Sequence, residues 1–178
     1  MIDANEDNTQ VAYPGGTFNS PWYNTYNGRK DYGISDVIVN MLYATSDARV
    51  NAYGEPNASG TVVPMPYGLT RDDAVNYTNT HADWSRILSP TYREGSATSF
   101  VLTAASVYLA RAEAAALGWT TESASTMYSK GLEMSWKQWG VFDQAKFNTF
   151  MENAGVQLGT TSSDILTKVR TQRYISFF

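Results

Sequence analysis

The chain has 178 residues, 43% of them hydrophobic, which is enough for one domain with a real core. Thirteen Lys and Arg against 17 Asp and Glu leave a net charge of −4, and the cations are scattered. That argues against nucleic acid, which needs clustered Lys and Arg to neutralise phosphate. Cysteine is absent, so disulfide frameworks, thiolate zinc sites and thiol catalysis are excluded.

In chain order, the first residues, "MIDANEDNTQ", are acidic and polar and do not read as a signal peptide. Asp3, Asn5 and Asp7 have the spacing of a calcium loop. However, Asn8 stands where glycine is required and Pro14 where the bidentate Glu belongs, so a solvated acidic segment is expected. Through residue 100 the chain is rich in Asn, Thr, Ser, Gly, Pro and Tyr, with turn signals every few residues. One regular element is predicted there, a helix over Ser35–Tyr43 that Ser35 caps, with Val37, Ile38, Met41 and Leu42 at helical spacing. The single histidine, His81, reads as a surface-loop residue, because no second His or Cys accompanies it as a metal ligand.

From residue 103 onward the pattern is entirely helical. Thr103 caps a first helix running to about Leu117, ended by Gly118. Ala104, Ala105, Tyr108, Leu109, Ala112, Ala115 and Ala116 share one arc, with Ser106 and Glu113 pointing away. Arg111 falls on the apolar side, where a structural ion pair is expected. A second helix is predicted from Thr121 to Gly140, with Glu122 in its first turn. Its apolar arc centres on Ala124, Gly131 and Ser135, flanked by Met127, Tyr128, Leu132, Met134 and Trp139. An interior glycine costs about 1 kcal/mol relative to alanine, and small residues facing an alanine-rich helix predict a tight antiparallel αα-hairpin over 103–140. A third helix is predicted over Asp143–Asn153, with Phe147, Phe150 and Met151 inward, and a fourth from Ser162 or Ser163. The ending "YISFF" carries large apolar residues that dock only against a core, so the chain is expected to be part of a longer protein.

Two regions follow. Residues 1–102 form a loop-rich part expected to carry a ligand surface, and residues 103–178 a helical part, together one mainly α fold. No nucleophile elbow, phosphate loop or dinucleotide fingerprint occurs. A pair of loop carboxylates such as Asp31 and Asp83 keeps a glycoside hydrolase or lyase open as the alternative function. The loop aromatics are the stronger feature: Trp22, Tyr23, Tyr26, Tyr32, Tyr67 and Trp84 sit among Asn, Asp and Arg. Aromatic faces beside amide and charged groups suit sugar rings, which makes Trp22, Tyr23, Tyr26, Tyr67 and Trp84 the candidate ligand-binding residues.

"LTAASVYLARAEAAALGW" followed by "YSKGLEMSWKQWG" resembles the C-terminal part of the SusD/RagB family of nutrient-binding surface lipoproteins. Ala112, Glu113, Ala114, Gly118, Tyr128, Gly131 and Leu132 carry that likeness. Ser35, Val39, Asp47, Arg49, Val50 and Tyr53 resemble the family's "S-x-x-(L/M)-V…D-P-R-(L/V)…Y" segment, with Ala48 in place of its proline. "PYGL" at 66–69 and "VRTQRYISFF" are similar to two further family segments, in the same order. Ser106 replaces a common Glu, so a Thr-x-x-Glu capping box with Thr103 is expected to be lost.

The resemblance implies a SusD-like fold of tetratricopeptide-like helix pairs with long loops. It implies a non-enzymatic receptor, with no cofactor expected and calcium left open, held at the outer-membrane cell surface by an N-terminal lipid anchor absent from this chain. Such a receptor would bind an oligosaccharide or other nutrient and deliver it to a SusC-like TonB-dependent transporter.

Overall fold

In a computed structural model, residues 2–178 are described. They fall into two compact units, Val11–Ser99 and a second made of the residues up to Gln10 with Phe100–Phe178.

The Val11–Ser99 unit contains four short helices: α1 (Pro21–Tyr26), α2 (Asp36–Ala44), α3 (Val50–Tyr53) and α4 (Arg71–Thr80). The predicted helix is α2. Ser35 Oγ accepts a hydrogen bond from the Val37 amide at 3.1 Å, and Ile38, Val39 and Leu42 are buried. They join Ile34, Val50, Ala52, Tyr53, Val62 and Leu88 in the core of this unit. After α2, both side chains of the Asp47–Arg49 pair are fully buried. Asp47 Oδ1 accepts from the Arg49 amide and from Nε, each at 3.0 Å, and Oδ2 accepts from Nη2 at 2.5 Å. A buried charge pair with this many hydrogen bonds can offset its desolvation, and it pins the turn between α2 and α3.

The expectation that α2 is the one regular element here needs correction. The helices α1 and α4 are set by caps rather than by an apolar stripe, since neither contains a buried residue. Ser20 and Pro21 start α1; Thr70 caps α4, with Asp72 and Asp73 favouring its dipole. The expected loop histidine, His81, is exposed at the C-cap of α4, its ring stacked on Tyr77 at 4.0 Å.

The second unit opens on a two-stranded sheet, β1 (Thr9–Val11) with β2 (Ser99–Leu102), followed by α5 (Ala104–Ala116), α6 (Ala124–Gln138), α7 (Gln144–Glu152) and α8 (Ser162–Ser176). Thr103 caps α5 by accepting from the Ser106 amide at 3.1 Å, and Ser106 Oγ accepts from the Thr103 amide at 3.2 Å. The capping box expected to be lost is therefore present, because the serine hydroxyl itself reaches back to the cap. Gly118 takes a left-handed φ of 75° at the helix exit.

Between α5 and α6 the predicted hairpin is present. A Cβ on Gly131 would lie 2.7 Å from Leu109 Cγ and 3.2 Å from the Leu109 amide nitrogen, so α6 needs glycine there to approach α5. The second helix starts later than expected. Ser123 is its cap, which leaves Glu122 before the helix, where it pairs with Arg111. Arg111 also meets Asp3 at 3.3 Å and so forms the expected structural ion pair.

Two positions outside the predicted apolar arcs face inward: Glu113, expected to point away, and Trp136, to which the spacing assigns no face. Trp136 is fully buried and packs edge-on against Phe147 with ring centres 5.3 Å apart, while Glu113 holds α8 through Arg170 Nε at 2.8 Å and through Arg173 Nη1. These arginines keep the Glu113 carboxyl below the usual carboxylate range, the Arg170 hydrogen bond contributing most. Phe147 and Phe150 are buried as predicted, and Met151 is half-buried.

The acidic side chains of the first residues, Asp3, Glu6 and Asp7, are exposed as expected, while the asparagines between and after them dock. Asp7 Oδ2 accepts from the Asp3 and Ala4 amides at 3.0 and 3.1 Å, which lowers the Asp7 pKa. Asn5 donates to the Met134 carbonyl at 3.0 Å, and Asn8 Oδ1 accepts from the Ala104 amide at 2.7 Å. Among the described residues no helix is long and apolar enough to cross a membrane.

Candidate functional site

The site is built in the Val11–Ser99 unit, starting from the cap of α1. Ser20 is fully buried, its amide donates to the Gly95 carbonyl at 2.8 Å, and its hydroxyl accepts from the Trp22 amide at 3.3 Å. The short helix that follows places Trp22 and Tyr26 four residues apart on one face. Their rings stack 5.8 Å apart and within 4° of parallel. Tyr26 then meets Tyr32 edge-on, with centres 5.0 Å apart at 74°, and the Arg29 guanidinium lies 5.2 Å from the Tyr32 ring. The result is an aromatic ladder of Trp22, Tyr26 and Tyr32 whose two end rings are each 40% exposed. Burial, with a smaller effect of Tyr32, pushes the Tyr26 phenol above its ordinary pKa.

Arg86 connects the ladder to a cleft. Its Nη2 donates to the Tyr26 carbonyl, and the same side chain lines a cavity of about 320 Å³ with Lys30, Glu55, Asn57, Asp83 and Trp84. The strand-like segments that carry these residues are tied by a bridge between Gly33 and Arg86 and by the Ile87 amide, which donates to the Tyr32 carbonyl at 3.1 Å. Lys30 Nζ lies 5.2 Å from the Trp84 ring and donates to the Ala82 carbonyl at 3.1 Å. Glu55 pairs with the buried Arg93 at 2.5 Å. Desolvation lowers the Arg93 pKa, and Glu55 acts against that shift.

Of the five sequence-predicted residues, the structure brings Trp22 and Tyr26 together and places Trp84 in the adjoining cleft wall, where it is only 8% exposed beneath Lys30. Tyr23 is half-buried on α1, and its ring is outside the stack. Tyr67 is 79% exposed in a turn whose amide donates to Asp36 Oδ1 at 3.0 Å, and it stands apart from the ladder. Lys30, Asn57 and Arg86 were not identified from the sequence. The run "NGRKDYG" flags Lys30 as a cation between aromatic residues, but nothing local flags Asn57 or Arg86.

Chemically, the arrangement offers ring faces for stacking and mixed donors and acceptors for hydroxyl groups. Asp31, named for the hydrolytic alternative, is ion-paired with Arg29, whose hydrogen bond holds its carboxyl below the usual range. A general acid in glycoside hydrolysis requires the opposite shift. Asp83 lines the cleft and accepts from Asn57 Nδ2 at 3.3 Å.

The helical fold is shared with solved SusD homologues. A SusD homolog of Bacteroides fragilis superposes with a TM-score of 0.80 at 20% identity, over 99% of this chain and 43% of its own length. A chitin-binding SusD homolog of Flavobacterium johnsoniae gives 0.78 at 20% identity, over 100% and 40%. A SusD homolog of Bacteroides uniformis gives 0.78 at 18% identity, over 99% and 41%. The chain thus spans less than half the length of these relatives. No curated protein matches it in sequence. Residues 1–178 match the SusD-like family described as "Starch-binding associating with outer membrane", and the chain belongs to that family.

Proposed function

We propose that this chain is part of a cell-surface receptor that captures oligosaccharide outside the cell and delivers it, without catalysis, to a SusC-like TonB-dependent transporter. The match to the SusD-like family over residues 1–178 carries this reading. A lipid anchor elsewhere in the protein would hold the receptor at the outer membrane. Sugar rings would stack on Trp22 and Tyr32, the exposed ends of the ladder, while the cleft beneath Arg86 takes their hydroxyl groups. Tyr23 and Tyr67 remain outer candidates on the same unit.

Titration calorimetry against a panel of starch, chitin and other oligosaccharides tests the reading. At least one glycan is expected to bind, and Trp22→Ala to weaken it by roughly threefold to tenfold, the worth of one aromatic stacking contact. No binding across the panel, together with no copurifying outer-membrane transporter, would sink the proposal. A larger effect of Tyr67→Ala than of Trp22→Ala would move the binding surface to the turn at Tyr67.

A further inference from the structure

The cleft beside the ladder is lined by two cations and two carboxylates, but Lys30 is not paired with either carboxylate. Its charged lining residues are Lys30, Glu55, Asp83 and Arg86. Glu55 is already engaged by Arg93 at 2.5 Å and lies 4.0 Å from Arg86 Nε, the outer limit for an ion pair. The close hydrogen bond of Arg86 goes instead to a neutral acceptor, the Tyr26 carbonyl. Lys30 is held only by neutral groups, the Ala82 carbonyl and the Trp84 ring, and no carboxylate among the described residues lies within ion-pair distance of it.

The geometry of Lys30 leaves it open to an anion. An ammonium has three protons, and the Ala82 carbonyl takes one. An incoming anion therefore breaks no ion pair to reach Lys30. On the other side, Asp83 and Asn57 supply acceptors and an amide, groups that suit hydroxyl hydrogens rather than a second anion. The volume, about 320 Å³, lies at the small end for ligand pockets, and so admits one sugar residue of a longer chain.

We propose that this cleft selects an acidic saccharide: a uronate residue whose carboxylate lies against Lys30 and Arg86, whose hydroxyls meet Asp83 and Asn57, and whose neighbouring sugars stack on Trp22. This rests on the glycan-binding reading above and specifies its ligand class.

The experiment is calorimetry of the intact protein with oligogalacturonate and with the same oligosaccharide methyl-esterified, at low and at near-molar salt. Esterification removes the charge and keeps the sugar backbone. At low salt the acid form is expected to bind roughly fivefold tighter, the upper range for an exposed ion pair. High salt is expected to erase that advantage. Lys30→Met should abolish the preference for acid over ester, whereas Lys30→Arg should retain it. Lys30 is exposed, so neither variant threatens folding. Equal affinity for acid and ester, with Lys30→Met indifferent, would overturn the inference. If neutral glycans bind and uronates do not, the inference fails while the glycan reading stands. If nothing in the wider panel binds, both fail.

Discussion

Gly131→Ala tests the close helix approach on which the second unit depends. The new Cβ would sit 2.7 Å from Leu109 Cγ, 3.0 Å from Cδ2 and 3.2 Å from the Leu109 amide nitrogen. Two effects compete. Replacing an interior helical glycine by alanine gains about 1 kcal/mol of helix propensity. Against that, Leu109 is fully buried, its Cγ is a branch point rather than a flexible tip, and its amide belongs to the α5 backbone. Overpacking a site that cannot relax costs about 1–3 kcal/mol, so a net loss of about 1 kcal/mol is expected. For a chain of this size that lowers Tm by roughly 2–4 °C. Thermal and urea melts followed by far-ultraviolet circular dichroism measure it. Leu109→Ala alone should cost about 2–5 kcal/mol. Combined with Gly131→Ala, it should cost less than the two losses added, because the shortened side chain makes room for the new methyl. A Gly131→Ala protein more stable than the parent, or a strictly additive double variant, would refute the close-approach argument.

Three further outcomes are expected. Asp47→Asn removes the carboxylate charge that pairs with the fully buried Arg49 and should cost about 3–5 kcal/mol in urea unfolding, while the double variant Asp47→Leu with Arg49→Met, which removes both charges at once, should recover most of that loss. Thr103→Ala removes the α5 cap and should lower stability by about 1 kcal/mol in the same assay. The third concerns acid. Glu113 has a folded-state pKa below its ordinary value of 4.5, so its contribution is fully present above that value and is lost as pH falls through the folded pKa. Melts taken at successively lower pH should therefore show a shallower acid-side decline for Glu113→Gln than for the parent, and parallel curves would count against the clamp between α5 and α8.

Where the sequence could be read, and where it could not, follows from how each element is stabilised. The helices α2, α5, α6, α7 and α8 bury an apolar stripe, and periodicity detects a stripe. Periodicity assigns each helix one buried face, however, and α5 and α6 each have two. Glu113 lies opposite the α6-facing arc of α5 and still packs inward, because α8 brings Arg170 and Arg173 to it. Trp136 is buried for a related reason: Phe147 and Phe150 of α7 cover it. The start of α6 falls later than its spacing suggests: Ser123 caps it by accepting from the Thr126 amide, and Glu122 before it pairs with Arg111. The site shows the same division more sharply. Residue type alone selects Trp22, Tyr26 and Trp84, but the ladder exists only once α1 is helical, and α1 is set by Ser20 and Pro21 without any apolar pattern. Arg86 donates directly to the Tyr26 carbonyl across 60 residues of chain, and its backbone is bridged to Gly33, pairings that no local signal encodes. A scaffold is redundant in sequence because many residues must agree on one face. A binding surface carried by loops has no such redundancy, so its aromatic residues can be picked out by chemistry while their partners emerge only from the folded chain.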